Sequence, residues 1–339
     1  MNNFYNNRGA YYSVIGLAGP AIYSCVFILV VSLFSPSLGD PSTWLADSSW
    51  LTGSSMPTPR FEISACILDG KVYVVGGVDK NEDLTDTVEV YDPQTDSWGD
   101  AAPMPEPLDH TGLASYGGKL YLVGGFGERN VPSNALYIYD PSNGEWNRGQ
   151  PMPTSRGGLS ADFIDGILYA VGGSTGDNRG QLSTNEAYNP VTEEWTERAP
   201  MPTARHHHAS ETVNEKLFII GGRETGISSN TDRNERYDPE KDSWVVLNDM
   251  PTKRSGSSAI AVGNDVFVTG GEKAGGSFDI TERYNVVTDK WTLESTMPTP
   301  RLGHDVVTFN DKIYIFGGKM GQSKETTIGV TDIFIVKEA

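Results

Sequence analysis

The sequence predicts an all-β, six-bladed β-propeller, and three regularities carry that prediction. Six Gly-Gly pairs (Gly76-Gly77, Gly124-Gly125, Gly172-Gly173, Gly221-Gly222, Gly270-Gly271 and Gly317-Gly318) each close an apolar run such as Lys71-Val72-Tyr73-Val74-Val75. The second glycine of each pair lies 21 residues after the methionine of a Met-Pro step, at Met56, Met104, Met152, Met201, Met250 and Met297. Six tryptophans, Trp50, Trp98, Trp146, Trp195, Trp244 and Trp291, each stand six residues before one of those methionines. The period of 47 to 49 residues falls in the range of propeller blades.

In the first unit, residues 63–68 read as strand a, 71–75 as b, 88–91 as c, and a short d contains Trp98. Asp69-Gly70 suits a tight a–b hairpin, and Asp92-Pro93 opens the c–d turn because proline presets its backbone angle. The regularly placed tyrosines and tryptophans read as core pieces, since stacked blades must bury large apolar side chains between them.

The Gly-Gly pair, the Tyr seven residues before a Trp (Tyr91/Trp98, Tyr139/Trp146, Tyr188/Trp195, Tyr237/Trp244, Tyr284/Trp291) and the Met-Pro-x-x-Arg lead-in resemble the kelch family. The resemblance covers residues 47–339 and implies four-stranded blades around a central channel. Closure is legible without the family. After Gly317-Gly318 there is one more strand, residues 331–336, and no Tyr-to-Trp segment, while Trp50 stands surplus before the first unit. The segment around Trp50, residues 48–51, is therefore expected to supply the outer strand of blade six, so that the ring has no open edges.

A propeller over 47–339 is long enough to bury a core without covalent staples. The chain's two cysteines, Cys25 in an apolar N-terminal stretch and Cys66 in strand a, predict no structural disulfide. The net charge of −18, from 44 acidic against 26 basic residues, argues against nucleic acid, whose phosphates would be repelled. It is the mark of a soluble surface or a salty habitat.

The N-terminus is different. Gly9 to Gly39 carries no charge, and residues 14–34 are about as long as a bilayer-spanning helix. Residues 1–39 are expected to be a transmembrane anchor or a cleaved signal, with 40–46 a short linker. Arg8 before the stretch and Asp40 after it place the propeller outside the cytoplasm in either case. A membrane is thus an expected partner, or the protein is secreted.

Function is sought on one face. The d–a links and b–c loops share an edge, and all length variation between repeats falls in the interval from Gly-Gly to the strand c aromatic, 13 to 16 residues. Variable loops on a fixed scaffold carry recognition. The other face, with Asp96 and Glu194, reads as scaffold. All five histidines, His110, His206, His207, His208 and His304, lie five to seven residues after a methionine, in blades two, four and six. That window opens strand a beside the channel, where a polar-ligand, metal or proton-transfer site is conceivable, although no metal or cofactor is assigned. His208 and His304 also resemble a kelch variant in which the histidine hydrogen-bonds the adjacent loop. Glu62, Asp109, Asp305, Arg129, Arg223, Glu224, Glu272, Lys273 and Lys319 could line the same mouth.

A second charged pattern reads as structural. Arg60, Arg156, Arg205, Arg254 and Arg301 stand four residues after their methionines, and Glu89, Glu186, Glu235, Glu282 and Asp332 two before the strand c aromatic. Blade two has Leu108 and Tyr137 at these places, so it lacks both partners at once. That joint loss predicts pairs within blades, favoured by bidentate geometry.

No Gly-x-Ser-x-Gly, phosphate-binding glycine loop or CxxC is present, and the Gly-Gly pairs precede no helix. A radical-copper kelch oxidase would need Cys66, which reads as a core residue of strand a. The chain shows no BTB, BACK or F-box adaptor, so the ubiquitin-ligase role of many kelch proteins is not expected. The leading expectation is an exported kelch propeller that recognises a protein or glycan. The alternative is a carbohydrate-active enzyme similar to the kelch sialic-acid mutarotases, with Glu224, Glu272, His207 and His304 as acid–base candidates and Arg129 or Arg223 holding a carboxylate.

Overall fold

The computed structural model describes residues 50–176, 180–321 and 323–336. Six antiparallel four-stranded sheets form its blades. In blade one the strands a to d are Ser64–Leu68, Lys71–Val75, Val88–Asp92 and Ser97–Asp100. The apolar run of strand b does not alternate because blades pack on both of its faces, and Val72, Val74 and Val75 are fully buried. Asp69 and Gly70 both take positive φ, 50° and 75°, which is what a two-residue hairpin of matching twist requires.

The Gly-Gly pairs are places where backbones press together. Gly76 and Gly77 have φ of 61° and 92°. A Cβ on Gly76 would stand 2.4 Å from the Leu108 carbonyl oxygen of the next blade, and one on Gly77 would stand 2.6 Å from that of Phe61. Only glycine supplies both the angle and the space.

Each Tyr–Trp pair packs inside its blade at a tilt, with Tyr91 and Trp98 ring centroids 5.0 Å apart and their planes at 43°. The indole then fastens that blade to the one before it. Trp98 Nε1 donates to the Ser54 carbonyl at 2.8 Å, Trp146 Nε1 to that of Ala102 at 3.0 Å, and Trp244 Nε1 to that of Ala199 at 2.8 Å. The tryptophans are core pieces with a polar handle.

The ring closes as the surplus tryptophan predicts. Trp50–Gly53 pairs antiparallel with the last strand, Trp50 opposite Phe334 and Gly53 opposite Thr331. Residues 48 and 49 of the expected strand lie outside the described residues. Ser54 then bolts the closing strand to blade one, because Asp96 Oδ1 accepts from both Ser54 N and the Tyr91 hydroxyl at 2.7 Å. Asp242 and Asp289 make the same clasp with Tyr237 and Tyr284. The face read as plain scaffold therefore carries blade-to-blade clasps, and Asp96 is one of them.

All five arginine–carboxylate pairs lie within their own blades. Arg60–Glu89, Arg156–Glu186 and Arg205–Glu235 meet at 2.8, 2.9 and 2.7 Å, and Arg254–Glu282 and Arg301–Asp332 are in contact. The expected bidentate geometry is not what forms. In the four glutamate pairs one carboxylate oxygen takes the guanidinium, while the other accepts from Thr58 N or from the hydroxyls of Thr154, Thr203 and Thr252. Further guanidinium N–H groups donate to backbone carbonyls, such as Arg60 Nη1 to Gly76 O at 2.6 Å, while Nε of Arg156, Arg205 and Arg254 has no partner among the described residues. In blade two Leu108 fills the arginine's place, and the Tyr137 hydroxyl donates to Glu106 at 2.9 Å.

The segment 1–39, with Cys25, and the linker 40–46 lie outside the described residues. Among the described residues no helix is long and apolar enough to cross a membrane.

Candidate functional site at the channel mouth

Six residues after each methionine the d–a link bends through the left-handed region. Glu62, His110, Gly158, His207, Gly256 and Gly303 have φ of 51°, 50°, 64°, 54°, 59° and 59°. Five backbone hydrogen bonds join them in succession around the mouth: His110 N to Glu62 O at 3.2 Å, then Gly158 to His110, His207 to Gly158, Gly256 to His207 and Gly303 to Gly256 at 2.9 to 3.0 Å. Gly303 abuts Glu62, for a Cβ there would stand 2.9 Å from Glu62 N. The mouth is thus framed by a collar of one residue per blade. Three of the six are glycine, and the other three carry side chains in a backbone conformation that costs roughly 1 kcal/mol or more each.

Those three side chains converge. His110 Nε2 lies 3.2 Å from Glu62 Oε2, its Nδ1 lies 2.8 Å from Asp109 Oδ1, and its ring centroid is 4.5 Å from that of His207. The partners assign the tautomers beyond it. His206 Nε2–H donates to the Thr225 carbonyl at 3.1 Å, so its Nδ1 accepts from His207 Nδ1–H. His207 Nε2 then accepts from Arg223 Nη2 at 2.8 Å. Arg223 continues to Glu272, whose Oε1 also accepts from Ser255 at 2.6 Å.

The surroundings favour a charged ring at His110 and a neutral one at His207. Burial works against charging His110, but Glu62 and Asp109 outweigh it and raise the ring to about 9. Burial, then the charges of His110 and Arg223, hold His207 well below the usual histidine range. Burial and Arg223 bring His206 down to about 4.

The histidine window thus separates into three roles. Position five, His206, pairs its backbone with Arg223. Position six, His110 and His207, faces the mouth. Position seven goes into the scaffold: His304 Nε2 meets Thr269 Oγ1, at the end of strand b of the preceding blade and not in the adjacent loop that the family variant implies, at 2.9 Å, and His208 packs on Gly172 with no hydrogen-bond partner for its ring among the described residues. His208 and His304 are therefore walls between blades, and the proposed grouping of His304 with Glu272 and His207 as an acid–base set does not form. Arg129 and Glu224 stand exposed on their b–c loops without a side-chain partner among the described residues. Lys273 is exposed, with its ammonium 4.8 Å from the Phe278 ring, whereas Lys319 is buried, 4.6 Å over Phe61 and 3.7 Å from Glu82.

Below the collar the six a strands enclose a cavity of about 380 Å³. Asp305 belongs here and not to the loop face. Its oxygens accept from Ser258 Oγ and, at 2.6 Å, from Ala65 N. Sequence reasoning missed its companions Asp162 and Glu211, charged residues at the third position of strands that otherwise place small or apolar groups there. Asp162 accepts from Ser210 Oγ at 2.7 Å. Burial pushes Asp162 and Asp305 up to about 6, and burial with Asp162 alongside pushes Glu211 up to about 8. Cys66, raised to about 11 by burial, is no reactive thiolate.

The same segments are similar to known proteins. Residues 109–318 match the KLHDC2/KLHL20/DRC7 Kelch-repeats domain, and residues 59–105 match the Kelch motif. An Arabidopsis thaliana protein named as an F-box/kelch-repeat protein is 49% identical over 47 residues. That match covers 14% of this chain and 16% of the relative. Kelch propellers are generally protein-interaction modules. Repeat, ring closure and family match agree, and the chain belongs to the kelch-repeat family.

Proposed function

We propose that this protein is an exported kelch propeller, held at a membrane by its N-terminal segment, that recognises a protein or glycan through the channel mouth. The observation that carries the reading is the collar. Glycine alone satisfies its backbone at three positions, yet Glu62, His110 and His207 accept left-handed strain to aim polar groups into the mouth, and strain of this kind gathers at ligand clamps. Arg223 and Glu272 extend the polar rim, and the cavity below has room for a side chain or a sugar ring. The uncharged stretch from Gly9 to Gly39 supports export. Screening the purified full chain against glycan and peptide arrays tests recognition: binding that His207→Gly abolishes supports it, and a ligand indifferent to Glu62, His110 and His207 refutes it. Protease shaving of intact cells tests export, since a propeller protected until cells are broken would refute it.

One observation favours the enzyme alternative: His110 and His207 pair a charged with a neutral imidazole across 4.5 Å. An acid beside a base is what opening and reclosing a sugar ring needs. Equilibration of a sialic acid anomer no faster with the protein than in buffer removes this reading.

A further inference from the structure

We propose that Glu62, His110 and His207 bind one zinc-class divalent cation at the channel mouth. Each can present one ligand atom, and the three atoms lie within 4.8 Å of one another. Glu62 Oε2 and His110 Nε2 are already 3.2 Å apart, close to the edge of about 3.4 Å in a tetrahedron whose ligands stand about 2.0–2.1 Å from zinc. Small side-chain rotations bring in the third.

The groups behind the ligands are those a metal site needs. Asp109 holds His110 by Nδ1, so Nε2 becomes the coordinating atom when the metal displaces its proton to solvent, with the carboxylate–histidine support found behind zinc ligands. His206 holds His207 by Nδ1 in the same way and turns its Nε2 lone pair outward. A cation already occupies that direction, the guanidinium of Arg223 at 2.8 Å. Arg223 keeps Glu272 and Ser255 as partners when it yields Nε2. One carboxylate, Glu62, faces the place where a divalent charge would sit, Asp109 adds a second negative charge behind the His110 ring, and Phe126 packs against that ring with centroids 5.6 Å apart.

The donor set also says what kind of site this is. Two imidazoles and one carboxylate leave a coordination position open, as in zinc centres that accept a ligand, whereas closed structural sites use four protein donors. Gly256 and Gly303 put no side chain on the collar beside it. A ligand offering a carboxylate, hydroxyl or imidazole could complete the shell. This inference stands apart from the recognition reading, because either can fail alone.

The test is calorimetric titration of zinc chloride into the chelator-stripped full chain, with X-ray absorption at the zinc edge on the same sample. One zinc per chain is expected, with a nitrogen and oxygen shell containing two imidazoles. His110→Gln and His207→Gln should each weaken binding at least about 10-fold, Asp109→Asn by about 10- to 100-fold as for other supporting groups, and Arg223→Gln should tighten it. Cys66→Ser should change nothing. The proposal is overturned by absence of binding, by sulfur in the shell, or by stoichiometry and affinity that survive the double change of His110 and His207. Should the histidine variants fail to fold, the absorption spectrum of the unaltered chain decides.

Discussion

Arg60 and Glu89 meet inside one blade, Nη2 to Oε2 at 2.8 Å with both side chains buried, and four further blades repeat the join. Blade two replaces it with Leu108 and Tyr137. Arg254→Leu alone strands Glu282 and should cost about 3–5 kcal/mol in urea unfolding. Adding Glu282→Tyr copies blade two and should recover part of that loss, a coupling of about 1–3 kcal/mol. Losses that simply add would show the pair is not a unit.

Ser54 ties the closing strand to blade one through Asp96 and Trp98. Trp50→Ala should cost about 2 kcal/mol, less than a fully buried tryptophan because the ring is only partly covered. Asp96→Ala, although exposed, unpairs Ser54 N and the Tyr91 hydroxyl and should cost about 1 kcal/mol. Glu194→Ala should stay within about 0.5 kcal/mol. Thermal unfolding compares the three, and equal silence of Asp96→Ala and Glu194→Ala would mean the clasp holds nothing.

Glu211 gives the propeller a pH slope. Its carboxyl is raised to about 8 in the fold, against an ordinary value of about 4.3. The native state therefore keeps a proton that the unfolded chain has released. That stabilisation is complete below the ordinary value and is lost as pH rises towards 8, at up to about 1.4 kcal/mol per pH unit. Glu211→Gln should flatten the curve, leaving the variant more stable than the parent at pH 8 and little changed near pH 4.5. Parallel curves from pH 5 to 8 would show that Glu211 titrates normally.

The scaffold was legible because blades are copies, so spacing alone locates Gly76-Gly77, Trp98 and the arginine pairs. The partner of Arg60 is legible in the repeats, since blade two loses both members at once. The pair's geometry is not, because the second oxygen of Glu89 and its neighbours is satisfied by local threonines and a backbone N–H that no repeat count weighs. The clasp at Asp96 was hidden for a related reason: its partner, Ser54, belongs to the preceding blade. At the mouth the histidine window was visible, but neighbouring positions point to different places, and only backbone torsion separates His207 from His208. Gly158, Gly256 and Gly303 recur at the register of Glu62, His110 and His207, which marks that register as left-handed.

The collar joins backbone strain to ligand recognition at Glu62, His110 and His207. Glycine relieves left-handed strain, so changing Glu62, His110 and His207 together to glycine should leave unfolding stability within about 1 kcal/mol of the parent, or raise it. The one measurement that matters is to determine stability and ligand binding on that triple variant. The account predicts a fully folded propeller that has lost its ligand. A variant that unfolds, or one that keeps full binding, would contradict it by showing that these side chains hold the ring together or play no part at the mouth.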